Sequence, residues 1–100
     1  MCGLVGIAAS TPRSDRAWLE AGRDAMRHRG PDDAGLWWAD DGRVGLGHRR
    51  LAIVDLSPGG HQPMRLAAAG LTVAFNGEIY NFRELRTELE QRGCSFHTHS

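Results

Sequence analysis

The second residue of the chain is a cysteine, Cys2. Initiator methionine is commonly trimmed when the next side chain is small, and cysteine is small. Trimming Met1 would leave Cys2 with a free α-amine, so that thiol and base share one Cα. An α-amine is basic enough to take a thiol proton near neutral pH. That is the N-terminal nucleophile arrangement, with attacking group and base in one residue. Position alone also leaves open a small buried thiol at the start of a strand.

Two further groups complement such a nucleophile. Asn76-Gly77 sits inside Ala74-Phe75-Asn76-Gly77-Glu78-Ile79-Tyr80-Asn81. Asn-Gly is a common turn dipeptide. It also suits charge stabilisation, because a glycine amide approaches a ligand closely and an asparagine NH₂ donates beside it. Together they form an oxyanion hole for an amide under attack. Arg50 lies in His48-Arg49-Arg50-Leu51-Ala52-Ile53-Val54. If it faces inward, its planar guanidinium binds a carboxylate through two hydrogen bonds, and Arg49 points to the opposite face. The alternative is a solvated strand arginine.

Other candidates are weaker. Arg27-His28-Arg29-Gly30-Pro31-Asp32 reads as a supporting loop that closes a helix. His97 and His99 can share a strand face, but two ligands without a third do not make a metal site. Cys94 reads as a packed small residue, and Trp18, Trp37 and Trp38 as core or interface anchors. Neither glycine-rich phosphate-binding pattern occurs, so no ATP site of that kind is expected here.

The elements that must position these groups follow from patterning. Residues 3–9 (GLVGIAA) read as a buried strand. Ser14 can cap a helix over 14–28, with Asp15 in its first turn. Residues 29–35 are turn chemistry. Residues 36–39 and 43–48, joined by Asp40-Asp41-Gly42, read as a hairpin. Residues 51–56 continue as strand, 57–60 as loop and 71–75 as strand. Asn81 caps a second helix, with Glu84 at the capping-box position and Gly93 as its stop. Residues 94–100 read as strand or loop cut in mid-course. The order predicts an α+β layered domain with antiparallel sheet and helices on a face.

Composition excludes several classes. The 100 residues contain 12 arginines, no lysine and 12 acidic residues, so the formal charge is zero. That balance argues against a nucleic-acid footprint or a polybasic membrane patch. Apolar runs are far shorter than the roughly 20 residues of a membrane span. No basic stretch precedes a long apolar run at the N-terminus, so no signal peptide is expected. Two cysteines do not make a disulfide framework. A soluble, cytoplasmic protein is the expectation.

In combination the motifs resemble a known family. They are Met1-Cys2-Gly3-Leu4-Val5-Gly6, Arg27-His28-Arg29-Gly30-Pro31-Asp32-Asp33-Ala34-Gly35, His48 to Ser57, Gly60-His61-Gln62-Pro63-Met64, and Phe75-Asn76-Gly77-Glu78-Ile79-Tyr80-Asn81 with Glu84-Leu85-Arg86. This set, in this order over residues 1–100, is similar to the glutaminase domain of the glutamine-hydrolysing asparagine synthetases. More broadly it resembles the class II glutamine amidotransferases, which are N-terminal nucleophile hydrolases. The resemblance implies an αββα four-layer sandwich, of which residues 1–100 supply only the N-terminal part.

The resemblance also implies roles. Cys2 would attack the side-chain amide of glutamine, and Asn76 with the Gly77 amide would hold the oxyanion. Arg50 would bind the α-carboxylate, while Leu51, Ile53, Val54 and Glu78 complete the pocket. No metal or cofactor is implied in this segment. ATP and Mg²⁺ would serve a second, synthetase domain, where ammonia arriving through a tunnel converts activated aspartate to asparagine. The family also implies a homodimer. One departure follows from length. The family's acidic ligand for the α-amine would come just after Thr98-His99-Ser100. A truncated chain is therefore expected, one that folds poorly by itself. Two alternatives stand beside this reading. One is an enzyme of the same kind with another carboxylate acceptor. The other is a non-catalytic scaffold, which the intact Cys2 disfavours.

Overall fold

A computed structural model describes residues 1–53 and 55–99. Its elements are β1 (Gly3–Ala8), α1 (Ala17–Asp24), β2 (Asp33–Trp38), β3 (Val44–Arg50), β4 (Met64–Leu66), β5 (Leu71–Val73) and α2 (Phe82–Gln91), with short 3₁₀ turns at Pro58–Gly60 and Ala67–Ala69. The result is a mixed arrangement of helices and antiparallel sheets, in line with the α+β expectation. β1, β3 and β2 form one sheet in that order; β4 and β5 form a second.

β3 is the central strand because both neighbours pair along it. Gly3 faces Arg49 and Ala8 faces Val44 on one side, while Asp33 faces Arg50 and Trp38 faces Gly45 on the other. Side chains alternate between faces, so Gly45, Gly47 and Arg49 share the face that α1 covers. Leu19 of α1 is fully buried there. The helix can sit this low because Gly45 has no side chain: a Cβ there would stand 2.8 Å from Leu19 Cδ2 and from the Trp38 ring. Arg49 is also buried on this face, donating Nε–H to the Gly30 carbonyl at 2.9 Å and meeting Asp24 at 3.5 Å. A hydrogen bond from Arg23, with the charges of Arg23, Arg49 and Arg27, holds the Asp24 carboxyl below its ordinary range, against a smaller opposing effect of burial.

The opposite face carries Leu4, Leu46, His48 and Arg50. His48 is fully buried, and its Nε2 meets the Phe75 carbonyl at 3.1 Å. A carbonyl only accepts, so Nε2 carries the proton. Nδ1 is then a bare acceptor, and it finds no partner among the described residues. Burial pushes the imidazole below its ordinary value. The Phe75 bond and Asp33 oppose that, and the charges of His61 and Arg50 reinforce it.

Several expectations need correction. The first helix starts at Ala17, not Ser14. Arg13 N–H is spent on the Gly42 carbonyl at 2.9 Å, and the Asp15 carboxylate, not Ser14, accepts from Ala17 N–H at 3.1 Å. Its far end tightens: Met26 and Arg27 bond three residues back, to Arg23 and Asp24, instead of continuing the helix. β2 begins at Asp33, inside the stretch read as turn, because Asp33 to Gly35 pair with β3.

The expected strand over 51–56 does not form in its described residues. Its backbone donors go to side chains: Leu51 N–H to Cys2 Sγ and Ala52 N–H to Asp32 Oδ2. β4 was not foreseen, and β5 ends two residues early. Asn81 occupies the N-cap position of α2 without a side-chain cap, so no capping box forms with Glu84. Gly93 does end α2: Gly93 N–H reaches Glu90 O at 3.0 Å and Cys94 N–H reaches Leu89 O at 2.9 Å. That is the Schellman pairing. The described residues after Cys94 form no strand.

Two outcomes test this account in the full-length protein. Leu19→Ala removes the side chain that joins α1 to the sheet and should cost about 2–5 kcal/mol, read as a lowered calorimetric transition for this domain. A depressed His48 binds fewer protons folded than unfolded. Its contribution is therefore complete above the ordinary imidazole range and is lost as pH falls through it. Urea midpoints should drop between about pH 7.5 and pH 5.5, and His48→Gln should flatten that slope. An unchanged slope would mean that His48 is not the titrating group.

Candidate active site

Cys2 stands one step before β1. Continuing the β1–β3 register by that step sets it opposite Arg50. Its thiol is half-buried, and Leu51 N–H donates to Sγ at 3.3 Å. Sγ also lies 3.8 Å from the Leu51 carbonyl. Arg29 Nε–H holds the Cys2 carbonyl at 3.1 Å. The loop that reads as support thus grips the backbone of the candidate nucleophile, and Arg49 anchors that loop through Gly30.

Arg50 emerges from the last position of β3 onto the face opposite Arg49, as alternation requires. It is buried, and its guanidinium donates to the Ser57 carbonyl at 2.7 Å and to the Asp55 carbonyl. The chain after Leu51 therefore curls around the cation. Ser57 N–H on Asp55 Oδ1 at 2.9 Å, and Gly59 N–H on Ser57 Oγ at 3.2 Å, close the curl. The Ser57 hydroxyl and amide hold the Asp55 carboxyl below its ordinary range, helped by Arg50 and His99 and opposed by burial. Asp55 is thus a carboxylate at neutral pH.

One open cleft of about 730 Å³ gathers these groups. Cys2, Arg50, Leu51, Ile53, Asn76, Gly77 and Glu78 all line it. Val54 lies outside the described residues. Every other residue expected at the site is therefore brought together, from three separated stretches of chain. Met1, Asp55, Gly60, Gln62, Phe75, Ile79, Tyr80 and Phe82 line it as well. Sequence reasoning gave these no role. All of them but Phe82 belong to the motifs named above, but a motif does not show which of its members face a cleft. A second hollow of about 430 Å³ is also lined by Arg50, together with Asp32, Asp33, Ala52, Ser57 and His61 among others. His61 Nδ1 meets Asp33 Oδ2 there at 2.6 Å.

Charge in the main cleft is mixed. Arg50 supplies a cation, and Asp55 and Glu78 supply carboxylates. Apolar walls come from Ile53, Phe75, Ile79 and Phe82. The set suits a small ligand that carries charges of both signs. Among the described residues no group of three or more His, Cys, Asp or Glu side chains converges as a metal site, and His97 and His99 take no part in one. No helix among the described residues is long and apolar enough to cross a membrane.

Comparison with known proteins adds lineage to this geometry. The model of the glutamine amidotransferase domain matches residues 1–100. Asparagine synthetase (glutamine-hydrolyzing) 1 of Bacillus subtilis (strain 168) is 43% identical over 104 residues, covering 100% of this chain and 16% of that protein. Asparagine synthetase (glutamine-hydrolyzing) 3 of the same organism is 38% identical over 100 residues, covering 96% of this chain and 16% of that protein. Amidase chry2 of Gibberella zeae is 45% identical over 71 residues, covering 71% of this chain and 11% of that protein. The chain thus spans between 11% and 16% of the length of these relatives. No solved structure matches. On the full-length match of the family model, and on relatives whose similarity runs the length of the chain, the protein belongs to the glutamine amidotransferase domain family.

Proposed function

We propose that this domain hydrolyses the side-chain amide of glutamine, with Cys2 as nucleophile. One observation carries the reading: Cys2, Arg50, Asn76 and Gly77, distant in sequence, line a single cleft. Removal of Met1 frees the α-amine of Cys2, which takes the thiol proton. Sγ attacks the amide carbon, and negative charge moves to the former carbonyl oxygen. The Asn76 side-chain NH₂ and the Gly77 N–H receive that charge. Such donors are worth about 2.7–4 kcal/mol each when aimed at the oxyanion. The C–N bond then breaks, and the α-ammonium of Cys2 returns its proton to the departing ammonia. Water attacks the thioester, releases glutamate and restores the thiol.

Arg50 anchors the α-carboxylate of glutamine. Two of its five N–H donors already hold Ser57 and Asp55 carbonyls, which fixes the guanidinium before a ligand arrives. Glu78 and Asp55 are the carboxylates available to the α-ammonium. Backbone groups around Leu51 and Ile53 complete the pocket.

The wider reading extends beyond these residues. Leu4, Leu71, Val73 and Phe75 are exposed apolar side chains on the strands and beside them. An αββα N-terminal nucleophile hydrolase sandwich would cover such faces with chain beyond Ser100, consistent with this chain's small share of its relatives. In a cytoplasmic, dimeric enzyme of that kind, ammonia passes to a synthetase domain. There ATP and Mg²⁺ activate aspartate, and asparagine is the product. A different carboxylate acceptor is the second form of this reading, since the acceptor is chosen outside these residues.

Two measurements on the full-length protein test it. Cys2→Ala should lower glutamate release from glutamine by roughly 10³-fold or more, and the active protein's intact mass should lack Met1. Activity surviving the substitution, or an active chain retaining Met1, would end the mechanism. Arg50→Ala should raise KM for glutamine about 10- to 100-fold, the loss of one charge-assisted pair, with a smaller effect on kcat. An unchanged KM would place the carboxylate elsewhere.

A further inference from the structure

Phe75 lies two residues beyond the end of β5, so no strand partner continues the ladder to it. Its backbone groups are instead taken by two side chains. Phe75 N–H donates to Gln62 Oε1 at 2.6 Å, and the Phe75 carbonyl accepts from His48 Nε2 at 3.1 Å. Its ring packs on the next residue but one: a Cβ at Gly77 would stand 2.7 Å from Phe75 Cζ. Three contacts thus fix the one residue that precedes Asn76-Gly77.

The anchor at the carbonyl is rigid. His48 sits inside β3, fully buried, paired with Leu4 of β1 and Gly35 of β2. It does not line the cleft. Its Nδ1 is buried without a partner among the described residues. A fold normally satisfies such atoms, and one left bare asks for a reason. Across the sheet it faces Leu4 and Gly35, and along β3 its face is shared by Leu46 and Arg50; among the described residues its one side-chain hydrogen bond is to the Phe75 carbonyl. The imidazole supplies the N–H that donates a hydrogen bond to the Phe75 carbonyl. Gly35 makes the second half of the clamp reachable, because any side chain there would collide with the Gln62 carbonyl.

We propose that His48 is a positioning residue for the oxyanion hole: through its bond to the Phe75 carbonyl it fixes the backbone that presents Asn76 and Gly77 to the cleft. This rests on the glutaminase reading above. Gln62 is the second jaw of the same clamp. The bond costs nothing at the moment of reaction, because it is made when the domain folds. Small misplacement of donors is expensive, with about 1 Å able to cost on the order of 100-fold.

The test uses the full-length protein, with glutamine hydrolysis and Cys2 alkylation by iodoacetamide read side by side. Alkylation displaces iodide at a saturated carbon and forms no oxyanion, so it reports the thiol alone. His48→Leu should lower kcat for glutamine roughly 10- to 100-fold, leave KM within about 3-fold and leave the rate of Cys2 alkylation unchanged. His48→Gln, which keeps an N–H donor near the same reach, should recover most of kcat. Gln62→Met should lower kcat in the same sense, and it serves if His48→Leu does not fold. The proposal is overturned if kcat survives in either folded deletion variant, or if His48→Gln gives no recovery. It is equally overturned if kcat and alkylation fall together, since that marks a general loss of structure. A wild type that alkylates at Cys2 but releases no glutamate would instead overturn the glutaminase reading itself.

Discussion

The antiparallel register of β3 is the constraint on which the rest depends. One strand faces β1 on one side and β2 on the other, and its last three residues are His48, Arg49 and Arg50. Through β1 it sets Cys2 beside Leu51. Through Arg50 it sets the cation of the cleft. Through His48 it reaches Phe75 and the Asn76-Gly77 pair. A slip of one residue would turn every one of these side chains to the wrong face. The α1 side resists that slip. Gly45 and Gly47 admit the helix only when they face it, and Leu19 is buried in the space they leave.

The two faces of β3 divide the work. Toward α1, Arg49 is spent on Gly30 and Asp24, interactions that shape a loop. That loop then holds the Cys2 carbonyl through Arg29. Toward the cleft, Arg50 is spent partly on the carbonyls of Asp55 and Ser57. A buried guanidinium without partners would be costly. Here the backbone supplies acceptors and leaves donors over. The same contacts bend the chain after Leu51 into the wall of the cleft.

Much of this was legible in the residues, and the exceptions have physical causes. β1, the β2–β3 hairpin and α2 follow from apolar runs, an Asp-Asp-Gly turn and a glycine stop, which are local signals. Four of the cleft residues were legible from chemistry, since a cysteine at position two, an Asn-Gly and a strand arginine suggest one reaction when taken together; Leu51, Ile53 and Glu78 followed only from the family resemblance. The strand expected at 51–56 was not legible as a loop. Its composition is that of a strand, and only distant side chains, Cys2 and Asp32, take the donors a ladder would use. β4 is three residues long and finds its partner through β5, which no local pattern reveals. The capping box at Asn81 and Glu84 had the right spacing but not the backbone: Asn81 sits at φ −95° and ψ 30°, away from the extended conformation that capping favours. His48 opens one of the motifs, but a single strand histidine has no local signature of a role. Its meaning depends on a carbonyl 27 residues away.

The loss of that strand is itself part of the design of the cleft. In a paired strand, N–H groups at every second residue are consumed by a neighbour. In the segment after Arg50, side chains fix the shape instead, and Leu51 N–H points at the Cys2 sulfur rather than at a carbonyl. Phe75, which also lines the cleft, follows the same rule, lying beyond the β5 ladder and held by His48 and Gln62. Both segments therefore lie where regular structure ends and side chains take over the backbone's hydrogen bonds. A regular sheet edge offers any extended chain a place to pair. An edge whose backbone groups are claimed by specific side chains offers no such ladder and holds its residues at fixed positions. The proposed recognition of glutamine would use that fixed geometry.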